Sequence, residues 1–413
     1  MQDRELYERI LGLSEPWQVE SVDLDLAAGE VRVRVGHPRG ARWPCPQCEA
    51  ACAVHDHRLR RWRHLDTCQL VTMVAAEVPR IRCEAHGVLQ VAVPWAEPGS
   101  GFTALFEAVV IQWLGQASMK AVSERLGLSW DQVDGIMGRA VRRGLARREQ
   151  QPVRHLGIDE TAFQKRHEYV TVLMDAGRDV VLEVLDDRKR QSLEAWFEAQ
   201  PEGLLAQLDH VSMDMWSPFI LACQAQLPEA EAKICFDRFH VAWHLGRALD
   251  QVRAAEHREL RREYGDSPLT RTKHQWLRNA SRIDNRSRRA FMALTRSSLR
   301  TARAWAIKET AAQLWDYRYR GAAEKAWRQL LGWIARCQLE PVRKVGRMIK
   351  THLWGILNAV IAQVTNARSE GKNARIQRIK AMACGYRNRE RFRRAILFHL
   401  GGLDLMPDGA KLT

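Results

Sequence analysis

With 413 residues, 46% of them hydrophobic, the chain is too long for one ordinary domain and too apolar for a disordered one. Its 64 Lys and Arg exceed its 49 Asp and Glu, leaving a net charge of +15. The surplus is concentrated: Arg271–Arg300 holds nine basic residues against Asp284 alone, and Asn366–Arg394 holds ten against Glu370 and Glu390. Two such clusters favour a nucleic-acid partner over a pair of solvated helix faces. Met1–Ile10 is charged and lacks the apolar core of a signal peptide, and the apolar stretch near Ala108–Leu114 is too short to span a bilayer. The expectation is therefore a soluble, intracellular protein with no membrane partner. Nine cysteines, an odd number, favour metal binding or burial over disulfides.

Near the N-terminus, Val19–Leu26 and Val31–Val35 alternate apolar and polar residues around a Gly-containing turn, which predicts a hairpin. Cys45-Pro46-Gln47-Cys48 and Cys83-Glu84-Ala85-His86 then supply two knuckles. Two-residue spacing lets a tight turn offer a ligand pair, and four such ligands suit structural zinc. A strand at Leu70–Val78 would bridge the long gap. Within it, the basic run Arg58–His64, with Arg60, Arg61 and Arg63 around Trp62, suits contact with a phosphate backbone.

Phe102–Gly115, Ser118–Leu126 and Trp130–Val141 have helical periodicity, with Gly127-Leu128-Ser129 as a short turn and Ser129/Gln132 as a capping box. Helices joined by such a turn, with Lys120 on one and Arg139, Arg142 and Arg143 ending the other, predict a DNA-binding helix-turn-helix. Residues 142–152 read as a linker.

Three strand-like runs follow, at His155–Glu160, Glu168–Asp175 and Val180–Asp187, then a helix at Ser192–Ala199. Leu208–Met213 ends at Asp214, and Ala232–Phe236 ends at Asp237. This α/β order places acids at strand tips along one sheet edge, where shared metal ions would serve phosphodiester chemistry. From Val241 to about Lys344 the pattern is helical, with tryptophans expected mainly in the core. Arg347–Thr365 reads as one apolar helix. Beyond it Glu370 is an isolated acid among Arg368, Lys372, Arg375 and Arg378, and helical pattern continues to Lys380 and again to about Leu400.

Four segments carry a specific resemblance: Gly157-Ile158-Asp159-Glu160, Met213-Asp214-Met215-Trp216, Asp237-Arg238-Phe239-His240 and the run from Thr365 through Lys380 to Phe392. With the two knuckles, the Arg60–Asp66 run and Val93–Ser100, the chain from about Trp43 to Leu400 resembles the ISL-three family of bacterial insertion-sequence transposases. That resemblance implies a zinc-ribbon-like β unit over 1–98, a helix-turn-helix over 99–150 and an RNase H-like catalytic domain over 151–240 and 346–401. A helical insertion over 241–345 would interrupt the catalytic domain, and 402–413 would be a tail. It implies a DDE triad of Asp159, Asp214 and Glu370 holding two Mg²⁺ or Mn²⁺ ions, and structural zinc on Cys45, Cys48, Cys83 and His86, where some relatives have Cys at the last position. Asp237 is the rival to Asp214; with His240 it matches a C-x2-H-type motif that related transposases carry one strand later, an ancillary role. The implied activity is metal-dependent cleavage and strand transfer of double-stranded DNA at the element's terminal inverted repeats, by a homodimer in the bacterial cytoplasm at the nucleoid. The alternative is a domesticated or inactive relative acting as a sequence-specific DNA-binding regulator.

Overall fold

The computed structural model describes residues 3–164, 168–201, 203–364 and 367–410, apart from the side chains of 286–287 and 367–370. The chain divides into two units, Met1–Arg148 with Gly402–Thr413, and Glu149–Gly401.

In the first unit, α1 (Asp3–Ile10) precedes the predicted hairpin, β1 (Gln18–Asp25) and β2 (Glu30–Gly36). The short pair β3 (Trp43–Pro44) and β4 (Ala51–Cys52) carries the first knuckle. The strands β5 (Val54–Thr67) and β6 (Leu70–Cys83) form a long antiparallel ribbon, and β7 (Gly87–Gln90) pairs with β6. The sheet order is β1-β2-β6-β5, with β2 parallel to β6. Alternation puts Val31, Val33 and Val35 of β2 inside with Val74, Ala76 and Val78 of β6. Trp17, Trp43, Trp62 and Trp95 complete that core, Trp17 and Trp62 edge-on to Trp95 and Trp43 tilted against Trp17.

Three helices follow: α2 (Ala104–Leu114), α3 (Met119–Leu126) and α4 (Trp130–Ala146). Ser118 caps α3, and Gly127 ends it at φ +62°, a left-handed position that glycine adopts without strain. Ser129 and Gln132 form the expected capping box on α4. That helix runs on to Ala146, through residues predicted as linker. Arg143 holds the extension in place, because its guanidinium pairs with buried Glu107 and with Glu97.

The second unit is built on a five-stranded sheet: β8 (His155–Gln164), β9 (Glu168–Asp175), β10 (Val180–Leu185), β11 (His210–Met213) and β12 (Ile234–Phe236). The order is β10-β9-β8-β11-β12; β8 is antiparallel to β9 and parallel to β11, and β11 is parallel to β12. Between β10 and β12 lie α5 (Arg190–Glu198), α6 (Ser217–Gln226) and α7 (Ala230–Lys233). The fifth strand is thus shorter than the predicted Ala232–Phe236, its first residues completing α7.

From Asp237 to the end of the unit the described chain is helical: α8 (Arg238–Tyr264), α9 (Lys273–Leu277), α10 (Asn285–Thr295), α11 (Arg300–Gln313), α12 (Arg320–Arg336), α13 (Glu340–Thr351), α14 (Leu353–Ala362), α15 (Ala367–Met382) and α16 (Arg389–Leu400). Trp276, Trp305, Trp315 and Trp327 pack into one core continuous with the sheet. The single apolar helix expected over 347–365 is instead two, broken at His352. The break lays α14 over β12, where Gly355 brings backbone against the Phe236 ring; a Cβ there would lie 2.5 Å from it.

Candidate functional site

The sheet of the second unit gathers acids where β11 and β12 end. Asp159 lies on the central strand β8, Asp214 directly follows β11, and Asp237 directly follows β12 as the cap of α8. Burial, helped by the charges of Asp214 and Asp237, pushes the Asp159 carboxyl up to about 7, opposed by the Glu160 N–H and by His240. The Glu160 N–H donates to Asp159 Oδ1 at 2.7 Å. Burial likewise raises Asp214, against His240, the Trp216 N–H and Arg188. Asp237 is buried, accepts from the Phe239 N–H at 3.1 Å, and has its Oδ2 3.9 Å from His240 Nε2. All four groups therefore share one electrostatic neighbourhood. Hard carboxylate oxygens, one of them raised by burial beside like charges, are the donor type a divalent cation takes.

Helix α15 docks on the same strand. Asn373 Nδ2 donates to Asp159 Oδ2 at 2.8 Å, Gln377 to Thr161 Oγ1 at 2.7 Å, and Lys380 Nζ to the Ala162 carbonyl at 2.8 Å. The backbone of Glu370 belongs to this helix, one turn before Asn373. Its side chain, like that of Arg368, lies outside the described residues.

Residues not singled out from the sequence complete the surroundings. Arg188 lies between Tyr169 and Trp216, 4.8 and 4.7 Å from their ring centroids, and pairs with Glu160 at 3.3 Å. Asn373 was foreshadowed only by its place one turn beyond an isolated acid.

In the first unit, Cys45, Cys48, Cys83 and His86 have ligand atoms all within 4.8 Å of one another, and among the described residues this is the only such set. Cys48 and Cys83 sulfurs are 3.7 Å apart, and His86 Nδ1 lies 3.7 and 3.5 Å from the sulfurs of Cys45 and Cys83. A zinc tetrahedron with sulfur ligands has edges of about 3.8 Å, so the four fit that ion as they stand. Backbone N–H groups of Gln47 and of His86 draw the Cys45 and Cys83 thiols below their usual range, toward the thiolates a metal needs, while Cys48, despite the Ala50 N–H, is raised by its contacts with Cys45 and Cys83.

The sequence model of the ISL3 DDE transposases, described as "Transposase", matches residues 156–396, more than half of the chain. The chain belongs to the ISL3 transposase family. The "Helix-turn-helix domain of transposase family ISL3" matches residues 91–141, and the "zinc-finger of transposase IS204/IS1001/IS1096/IS1165" matches 41–86. The chain is 27% identical over 402 residues to the transposase for insertion sequence element IS1001 of Bordetella parapertussis, covering 95% of this chain and 97% of that one. It is 26% identical over 425 residues to the transposase for IS1557 of Mycobacterium tuberculosis, covering 94% and 93%.

Several basic residues expected at DNA are otherwise engaged in this ISL3 transposase. Arg139 and Arg143 both pair with Glu107 in the interior, because a buried carboxylate requires cations. Arg63 pairs with Asp66 at 2.5 Å and lies over the Phe106 ring, and Trp62 beside it is buried. Lys372 is buried and pairs with Asp179 at 3.0 Å. Lys120, Arg61, Arg142, Arg375 and Arg378 remain exposed, and Arg60 is half-buried. No helix among the described residues is long and apolar enough to cross a membrane.

Proposed function

We propose that this transposase binds the terminal inverted repeats of its own element, cuts DNA there and joins the freed strand ends to a target. Asp159, Asp214 and Glu370 form the active site of an RNase H-like domain that the helices between β12 and α13 interrupt. The observation that carries the reading is the convergence on β8. A central-strand acid lies in the field of a second acid after β11 and bonds, through Asn373, to the helix bearing Glu370. The β10-β9-β8-β11-β12 order, antiparallel then parallel, supports the RNase H-like assignment.

When bound by these three carboxylates, two Mg²⁺ or Mn²⁺ ions would supply the Lewis acidity that phosphoryl transfer needs. The chain's own residues do the rest. Asn373 fixes the rotamer of Asp159 and ties α15 to the strand. The Trp216 N–H fixes Asp214 through a 3.0 Å bond. Arg188 offsets negative charge beside Asp214 and Glu160. Exposed Lys120, Arg61 and Arg142 present cations to the DNA backbone. Since two ends must be brought together, the working form is a homodimer.

The test is a labelled duplex carrying the element's ends, incubated with wild type, Asp159→Ala and Glu370→Ala, with and without Mg²⁺. Metal-dependent nicking is expected from wild type and a loss of at least about 10³-fold from either variant, with end-binding retained. Cleavage surviving in Glu370→Ala would displace that residue from the triad. Specific binding without cleavage by wild type would turn the reading to a regulator.

A further inference from the structure

A cavity of about 620 Å³ opens along the exposed side of α8, just beyond Asp237. Phe239, Trp243 and Arg247 follow one another at four-residue intervals and so share a helix face. The two rings are 49% and 44% exposed, unlike the tryptophans of the helical core. Arg247 has its guanidinium carbon 4.7 Å from the Trp243 ring centroid and makes no ion pair among the described residues. Gly246 leaves the floor open, since a Cβ there would meet nothing within 4 Å. Trp315, Arg238, Lys273 and Lys308 also line it. Lys273 pairs with Asp250 at 3.1 Å and buried Lys308 with Glu309 at 2.7 Å, so Arg238 and Arg247 are the lining cations with no ion pair among the described residues.

This is an apolar slot with two arginines, Arg238 and Arg247, on its lining. Two half-exposed aromatics bring no core burial that explains them, and an unpaired guanidinium over a ring is a ready counter-charge. The volume suits one nucleotide. Its position relates it to the acids, since Trp243 is six residues beyond Asp237, about 9 Å of helix rise. A duplex buries its bases, so only an extruded or single-stranded nucleotide reaches such a slot.

We propose that the cavity takes one nucleotide unstacked from the DNA strand beside the cut, its base against Trp243 and its phosphate toward Arg247. The assignment rests on the DNA-cleaving reading above and names a subsite of the same centre.

The experiment is an abasic scan. End duplexes carrying a single abasic nucleotide at successive positions around the cut are assayed for both binding and Mg²⁺-dependent cleavage, with wild type, Trp243→Ala and Trp243→Phe. On the intact duplex Trp243→Ala is expected to lose about 10- to 100-fold in cleavage, with Trp243→Phe recovering most of it. At one abasic position wild type should fall to the level of Trp243→Ala, because no base remains to stack. An equal cost of Trp243→Ala at every position, or no cost at all, overturns the proposal while leaving the transposase reading intact. Absence of cleavage by wild type, with the position-specific loss still seen in binding, keeps the cavity and removes the catalytic reading.

Discussion

His64 shows how one side chain sets a pH limit. It is buried in the first unit, with Nδ1 2.9 Å from Thr103 Oγ1, and burial together with the Arg63 charge lowers its pKa to about 4. In the unfolded chain the imidazole titrates near 6.5, so the fold favours its neutral form. The stability it contributes is full above about pH 6.5 and is lost as pH falls from there toward 4, at about 1.4 kcal/mol per unit. His64→Gln keeps a hydrogen-bonding group and cannot titrate. Urea denaturation at pH 7.5 and pH 5 should therefore show wild type losing about 2 kcal/mol more than the variant on acidification. Equal losses in the two proteins would mean the imidazole is protonated in the folded state. The same burial logic explains a limit of sequence reading. Arg139, Arg143 and Lys372 look like phosphate contacts by type and position, yet each answers an acid far away in sequence, Glu107 or Asp179.

Among elements, the zinc knuckles were legible because two-residue spacing is itself a geometric statement, and the structure closes them across the β5–β6 ribbon. The helix-turn-helix was legible for the same reason: Ser118, Gly127 and Ser129 are local signals, and each sits where its cap requires. The boundary of α4 was not, since nothing local distinguishes a helix extended by Arg143 from a basic linker. β6 and Trp62 pack into the core of the unit, but no residue of β5 before Trp62 is buried, so closing the knuckles by metal should decide whether that end of the ribbon holds its shape. Structural zinc supplies about 10 kcal/mol or more of folding free energy in small sites. Cys48→Ser removes one ligand from an exposed position without touching the core. Its expected effects are loss of bound zinc by elemental analysis and about a tenfold or greater drop in affinity for the element's ends. Unchanged end affinity in a zinc-free variant would detach the ribbon from recognition.

For the whole molecule, the strand sequence was visible as local pattern, and Asp214 and Asp237 do follow their strands directly. Asp159, expected at a strand end, lies within β8 because pairing with β9 carries that strand on to Gln164. What local pattern could not carry was contact over long separations. The slot on α8 is one case, being formed by segments far apart between Arg238 and Trp315. The chain's end is another. Residues 402–410 read as a tail, but they belong to the first unit and lie along α4. Arg143 Nη1 donates to the Leu405 carbonyl, and Arg147 donates to the Met406 carbonyl at 2.6 Å and pairs with Asp404 and Asp408. Gly144 lets Leu403 approach, since a Cβ there would stand 2.6 Å from it. The Arg147 pairs are exposed and contribute little. The Arg143 bond is buried and charged, so the segment as a whole should stabilise the unit by about 2–3 kcal/mol. Removing 402–413 should lower the melting of the first unit by about 5–10 °C and leave the second unit's transition in place. Gly144→Leu, which leaves every acceptor present, should reproduce part of that shift by forcing Leu403 away. A single transition displaced as a whole would show that the two units melt together, and an unshifted one that the segment holds nothing.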